Sequence, residues 1–165
     1  MTFLDTPGHA RHHYCIYDEL SAGFFTGDTF GLAYQELNSP KGPFIFPTTT
    51  PVQFDPDALK ASINRLLSYE PQRMFLTHFG MVENPQKLGE RLIKWVDVYV
   101  EMALRVKQNI PREQWLQALN KELLSYLLDE LVQHQTDLTP SEYSQVIASD
   151  VLLNAQGLEV WLSRL

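Results

Sequence analysis

Three short segments each place a side chain able to ligate a metal after an apolar run and beside a glycine. They are Thr6-Pro7-Gly8-His9, Phe25-Thr26-Gly27-Asp28 and Leu76-Thr77-His78-Phe79-Gly80. An apolar run ending this way reads as a strand leaving a sheet. Ligands gather at strand ends because the turn leaves the backbone accessible while the strand holds it rigid. The glycines permit dihedrals or close approaches denied to other residues. Neutral imidazole suits zinc and iron, and a carboxylate has two oxygens with which to bridge ions about 3.5–4 Å apart. Taken singly, each segment is a weak signal. A histidine after a strand is more often a surface or structural residue, and Asp28 in Gly-Asp-Thr could equally be a turn residue bonding its own backbone. Neither the single cysteine, Cys15, nor any serine lies in a recognisable nucleophile motif.

The elements that must position these residues can be read from the apolar pattern. Thr2-Phe3-Leu4, His13 to Tyr17, Gly23-Phe24-Phe25 and Arg73 to Thr77 are short apolar runs between turn residues and read as strands. One helix interrupts them. Asp55 is its N-cap, Pro56 its first residue, Leu59, Ile63, Leu66 and Leu67 its buried face, and Pro71 its stop. The order is strand, strand, strand, helix, strand. Between Asn38 and Asp55 lies a proline-broken loop of a length that is often functional. Two readings of it stand level: a surface flap pinned by Phe44 and Phe46, or one wall of a substrate pocket.

From Pro85 the period becomes helical. Leu88, Leu92, Trp95, Val96, Tyr99, Met102, Ala103 and Val106 make one stripe, ending before Pro111. Leu116, Leu119, Leu123, Tyr126 and Leu127 make a second. A third helix, capped by Thr139 or Ser141, carries Val146, Ile147, Val151, Leu158, Trp161 and Leu162. The stripes read as core or oligomer contacts. Together they hold more apolar surface than three short helices bury against one another, which favours a homo-oligomer. The expected organisation is therefore a strand-rich part over 1–84 and a helical C-terminal segment over 85–165.

The 165 residues suffice for one domain with a hydrophobic core, and 44% hydrophobic with 20% charged residues is the composition of a globular protein. Lys and Arg number 13 against 20 Asp and Glu, a net charge of −7 that excludes a broad nucleic-acid surface. One cysteine excludes an internal disulfide and fits a reducing compartment. There is no signal-peptide pattern at Met1 and no apolar run of about 18 residues, so a cytoplasmic protein with no membrane partner is expected.

Together, His-Ala-Arg-His-His at 9–13, Phe-Thr-Gly-Asp-Thr at 25–29 and Leu-Thr-His at 76–78 resemble the later metal-ligand motifs of the metallo-β-lactamase-fold hydrolases, including the glyoxalase II-like members. The similarity covers about residues 1–82. It implies an α/β fold, the second half of the family's αββα sandwich, here followed by the three-helix segment. It also implies that His9 ligates a first metal, that His78 ligates a second, and that Asp28 bridges both as the catalytic carboxylate. His13 and Thr77 are implied as pocket residues or supports of those ligands.

The resemblance further implies two divalent ions, zinc foremost with iron or manganese as alternatives. Metal binding lowers the pKa of water from 15.7 towards about 7 and gives a hydroxide that attacks an ester, thioester or related bond of a small-molecule substrate. The earlier family signature His-x-His-x-Asp-His, which supplies most of the ligands, does not occur in these 165 residues. The expectation is a partial chain with weak or partial metal occupancy, inactive alone, that forms a homo-oligomer or acts with a missing N-terminal half. The alternative is a non-catalytic half-domain acting as an interaction or oligomerisation module.

Overall fold

A computed structural model describes residues 1–49, 51–78 and 80–165. Thr50, in the proline-broken loop, and Phe79, in the third ligand segment, lie outside the described residues. Five strands, β1 (Thr2–Asp5), β2 (Tyr14–Asp18), β3 (Gly23–Phe25), β4 (Arg73–Leu76) and β5 (Gly80–Glu83), form one sheet in sequence order. All neighbours are antiparallel except β3 and β4, which are parallel. A parallel pair needs a long crossover, and here it contains the proline-broken loop and helix α1 (Pro56–Leu67).

The four strands expected from the sequence are present, and β5 is an addition. Gly80-Met81-Val82-Glu83 is short and begins with glycine, so its local propensity is slight. It becomes a strand by pairing with β4, Leu76 opposite Gly80 through Arg73 opposite Glu83. Helix α1 has the expected cap, the Asp55 side chain accepting from the Ala58 amide. It ends at Leu67, before Pro71, in a turn whose Glu70 has φ 51°.

Helices α2 (Pro85–Asn109), α3 (Trp115–His134) and α4 (Pro140–Leu162) break at the two expected prolines. Thr139, not Ser141, caps α4 in a reciprocal capping box with Glu142. One continuous core runs from Leu4 to Leu162 across the junction at residues 84 and 85. The helices bury their large aromatic residues within the chain: Trp95, Tyr99 and Trp115 are buried, and Trp161 is packed against the core. They are long enough to do so, at 25, 20 and 23 residues. Phe44 and Phe46 pin the proline-broken loop as expected: with Ile45 they lie in the core, and Leu32 bridges Phe46, while Pro40 and Lys41 stay exposed.

Large apolar side chains remain exposed on the helices, at Leu104, Val132, Leu152 and Leu153, and on the sheet. Its inner face buries Leu4, Cys15, Phe24, Met74 and Val82. On the other face the register aligns Phe3, Ile16, Phe25, Phe75 and Met81 in a single row across all five strands. Phe3, Phe25 and Met81 are 68%, 45% and 47% exposed, and Phe25 stacks on Phe75 with ring centroids 4.8 Å apart.

Candidate functional site

The three ligand segments follow β1, β3 and β4, which run in the same direction and end on the same side of the sheet, and there they meet. The turn after β1 brings His9 in, and Gly8 makes that turn possible: with φ 132° it packs so closely on the Leu59 backbone that a Cβ would overlap it. The Gly8 carbonyl accepts from the Asp55 amide, which ties the turn to the start of α1. After β3, Gly27 takes φ 51° beneath the His13 ring, where a Cβ would again overlap. His78 follows β4.

Asp28 is the meeting point. Its Oδ2 faces His9 Nε2 at 3.5 Å and its Oδ1 faces His78 Nε2 at 3.4 Å. The two imidazoles thus address different oxygens of one carboxylate. Among the described residues, no group of three or more His, Cys, Asp or Glu side chains is gathered as the ligands of a single ion. The side chains of His9 and Asp28 are 16% and 28% exposed, whereas that of His78 is 51% exposed.

Hydrogen bonds fix the protonation state of the inner pair. Thr48 Oγ1 donates to the Asp28 carbonyl at 3.0 Å, so the same oxygen accepts from His9 Nδ1–H, also at 3.0 Å. His9 therefore presents the lone pair of Nε2 to the carboxylate, and burial, the largest influence, lowers its pKa and keeps the ring neutral. His13 is oriented in the same way. Its Nε2 accepts from the Asp28 amide at 3.1 Å, which leaves Nδ1–H to donate to Thr29 Oγ1 at 3.0 Å. Burial, reinforced by His9, lowers its pKa too. His13 thus holds the Gly27-Asp28 turn in place. Thr77 is exposed and lies away from the cleft lining.

These residues open into a cleft of ≈ 280 Å³ whose other walls are Leu32, Tyr34, the loop at Thr48-Thr49 and Pro51, and one side of α4. The proline-broken loop is thus a pocket wall as well as part of the core. Asn154, 2% exposed, clamps it: Oδ1 accepts from the Thr49 amide at 2.8 Å and Nδ2 donates to the Pro47 carbonyl at 3.0 Å. Gly157, one turn on, leaves room for Thr49, because a Cβ there would overlap Thr49 Oγ1. Tyr34 Oη donates to Asp150 Oδ2 at 2.5 Å across the cleft. Sequence reasoning missed Thr48, Tyr34, Asp150 and Asn154. Only Asn154 carried a signal, as an amide within the apolar stripe of α4.

No family model matches the sequence. The chain is 32% identical over 92 residues to a metallo-beta-lactamase fold-containing protein of Sulfurisphaera tokodaii, a match spanning 56% of this chain and 31% of that protein. In fold it is similar to the crystal structure of an archaeal metallo-beta-lactamase superfamily protein from Sulfolobus tokodaii, with a TM-score of 0.51 and 23% identity over 94% of this chain. Both comparisons name the same protein, ST1585, and this chain spans less than half of its length, 31% in the sequence match and 44% in the structural one. The resemblance to metallo-β-lactamase-fold proteins is carried by sequence and fold alike, and the α/β architecture with its C-terminal helices is the expected one.

Proposed function

We propose that this chain contributes His9, Asp28 and His78 to a two-metal hydrolase centre whose remaining ligands lie outside these 165 residues. One observation carries the reading. The Nε2 lone pair of His9 and Oδ2 of Asp28 are turned toward one another at 3.5 Å, and Asp28 Oδ1, which faces His78, is buried and makes no hydrogen bond among the described residues. Facing acceptors in a partly buried site repel unless a cation lies between them. The donor set, imidazole nitrogen with a carboxylate able to bridge, suits divalent zinc, iron or manganese. When bound, such ions supply Lewis acidity and acidify water for attack on an ester, thioester or related bond.

The protein's own part is positional. Thr48 holds His9 in the ligating tautomer, His13 pins the turn that aims Asp28, and the apolar cleft walls seat a small-molecule substrate beside both. Three ligands alone hold two ions poorly, so occupancy and turnover by this chain alone are low. Among the described residues no helix is long and apolar enough to cross a membrane. The buried free thiol of Cys15 accords with a role in the cytoplasm.

Calorimetric titration with Zn²⁺ tests the assignment. Weak, substoichiometric binding is expected, reduced by each of His9→Ala, Asp28→Ala and His78→Ala. Supplying the missing half of the fold should restore metal-dependent thioester or lactone hydrolysis, which Asp28→Asn abolishes. Tight stoichiometric zinc that survives all three substitutions would sink the reading.

The bare row from Phe3 to Met81 favours a second reading, in which the chain serves as an interaction module without catalysis. Both readings give that face the same occupant, a second sheet layer: the rest of the fold in the first, another copy of the chain in the second. Light scattering with and without the missing half separates them.

A further inference from the structure

The part of the cleft beyond the three proposed ligands has a chemistry of its own. Leu32, Leu153 and Pro51 supply apolar wall, and the charged residues lining the cleft besides the histidines are Asp28 and Asp150. No Lys or Arg is among the described residues that line it. Asp150, on α4, faces across to Tyr34, in the segment that follows the Asp28 turn. Tyr34 donates its one hydroxyl proton to Asp150 Oδ2, and among the described residues this is the hydrogen bond the Asp150 carboxylate makes. Phenol and carboxylate therefore hold each other at a fixed point of the cleft wall. An ionised carboxylate has acceptor capacity for more than one donor, so the second oxygen remains for a ligand.

We propose that the Tyr34–Asp150 pair is a specificity site that selects substrates carrying an ammonium group a few atoms from the bond to be cleaved and rejects substrates with an anionic group there. The inference rests on the cleft being the substrate site of the proposed hydrolase. The metal ions would compensate Asp28, whereas no Lys or Arg among the described lining residues compensates Asp150. A substrate ammonium would supply that charge and a charge-assisted hydrogen bond together. A carboxylate or phosphate placed there meets like charge, with no Lys or Arg among the described lining residues to offset it. Among the bonds this fold hydrolyses, the geometry thus favours amino-acyl esters and thioesters over anionic substrates such as phosphodiesters.

The test uses three small esters of similar shape: ethyl β-alaninate (ammonium), ethyl butyrate (neutral) and monoethyl succinate (carboxylate). Binding to the full chain at neutral pH is followed by amide chemical shifts, with zinc affinity measured in parallel. Ethyl β-alaninate is expected to shift resonances around Tyr34, Thr49 and Asp150 and to bind on the order of tenfold more tightly than monoethyl succinate. Asp150→Asn, which retains a partner for Tyr34, should abolish that preference and leave zinc binding unchanged. Asp97→Asn removes an equal charge at the exposed Lys60 ion pair and should leave the preference intact.

Equal or tighter binding of monoethyl succinate would overturn the proposal. So would an ammonium preference that survives Asp150→Asn, or a failure of all three esters to bind. If the preference follows Asp150 but zinc binding ignores His9, Asp28 and His78, the specificity site stands and the metal assignment falls.

Discussion

The two faces of the sheet are built from alternate residues of the same strands, and both are apolar. Phe24 and Phe25 are neighbours in sequence, yet one is wholly buried and the other 45% exposed. A sheet with one wet face alternates apolar with polar, whereas strands covered on both faces read as continuous apolar runs. Apart from the polar end residues Thr2, Asp5, Asp18 and Arg73, β1 to β4 are of the second kind. Their composition is that of a central layer in a sandwich, and α1 with the C-terminal helices covers only one side. The strands thus have the composition of a sheet covered on both faces, while the described elements cover one of them.

The largest test of the contrast is to remove the cover that exists. Cutting after Asn84 takes away α2 to α4 and leaves α1 alone on the inner face, and we expect loss of cooperative unfolding and aggregation, seen by denaturant titration and light scattering. A well-behaved monomer both with and without residues 85–165 would refute the stabilising role of the helices and the tendency to associate together. Next in size is the pair Phe24→Ala and Phe25→Ala. The first should cost about 3–5 kcal/mol by opening a cavity. The second should cost about 1 kcal/mol or less, with reduced self-association as its main effect. Similar losses at both sites would mean that the outer face is already covered in solution.

A smaller effect is expected where α4 meets the loop. Gly157→Ala would ordinarily gain about 1 kcal/mol in helix propensity, but its methyl displaces Thr49, and a net loss of about 1–3 kcal/mol is expected by urea midpoint. Smallest is the pH dependence from His134, which packs edge-on against Phe44 and bonds the Gly42 carbonyl through Nε2. Burial lowers its pKa below the value of about 6.5 found in unfolded chains, so the unfolded state binds the extra proton. Its contribution is complete above that pH and is lost as pH falls through the folded value. His134→Gln should flatten that part of the stability profile, leaving the part of like sign from His9 and His13.

Much of this was legible in the sequence because it is local. Asp55-Pro56 opens a helix, Thr139 with Glu142 starts another, and the stripe from Leu88 to Val106 is the buried face of α2. His9, Asp28 and His78 were recognisable as a set, and their convergence on one carboxylate follows from β1, β3 and β4 ending on the same side of the sheet. What escaped was non-local. Strand β5 exists through its pairing, Thr48 matters because a loop folds back under His9, and Tyr34 meets Asp150 only after the chain has crossed the whole core.

The clamp between Asn154 and Thr49 also sets a clock. The Thr49 amide hydrogen is held by the Asn154 side chain on α4, so it can exchange with solvent deuterium only when the loop lifts or the helix melts. If its exchange rate matches that of amides in the middle of α4, the floor of the cleft and the C-terminal helix open as one unit. If Thr49 exchanges sooner, the loop keeps its own time, and the cleft breathes while the helix stays intact.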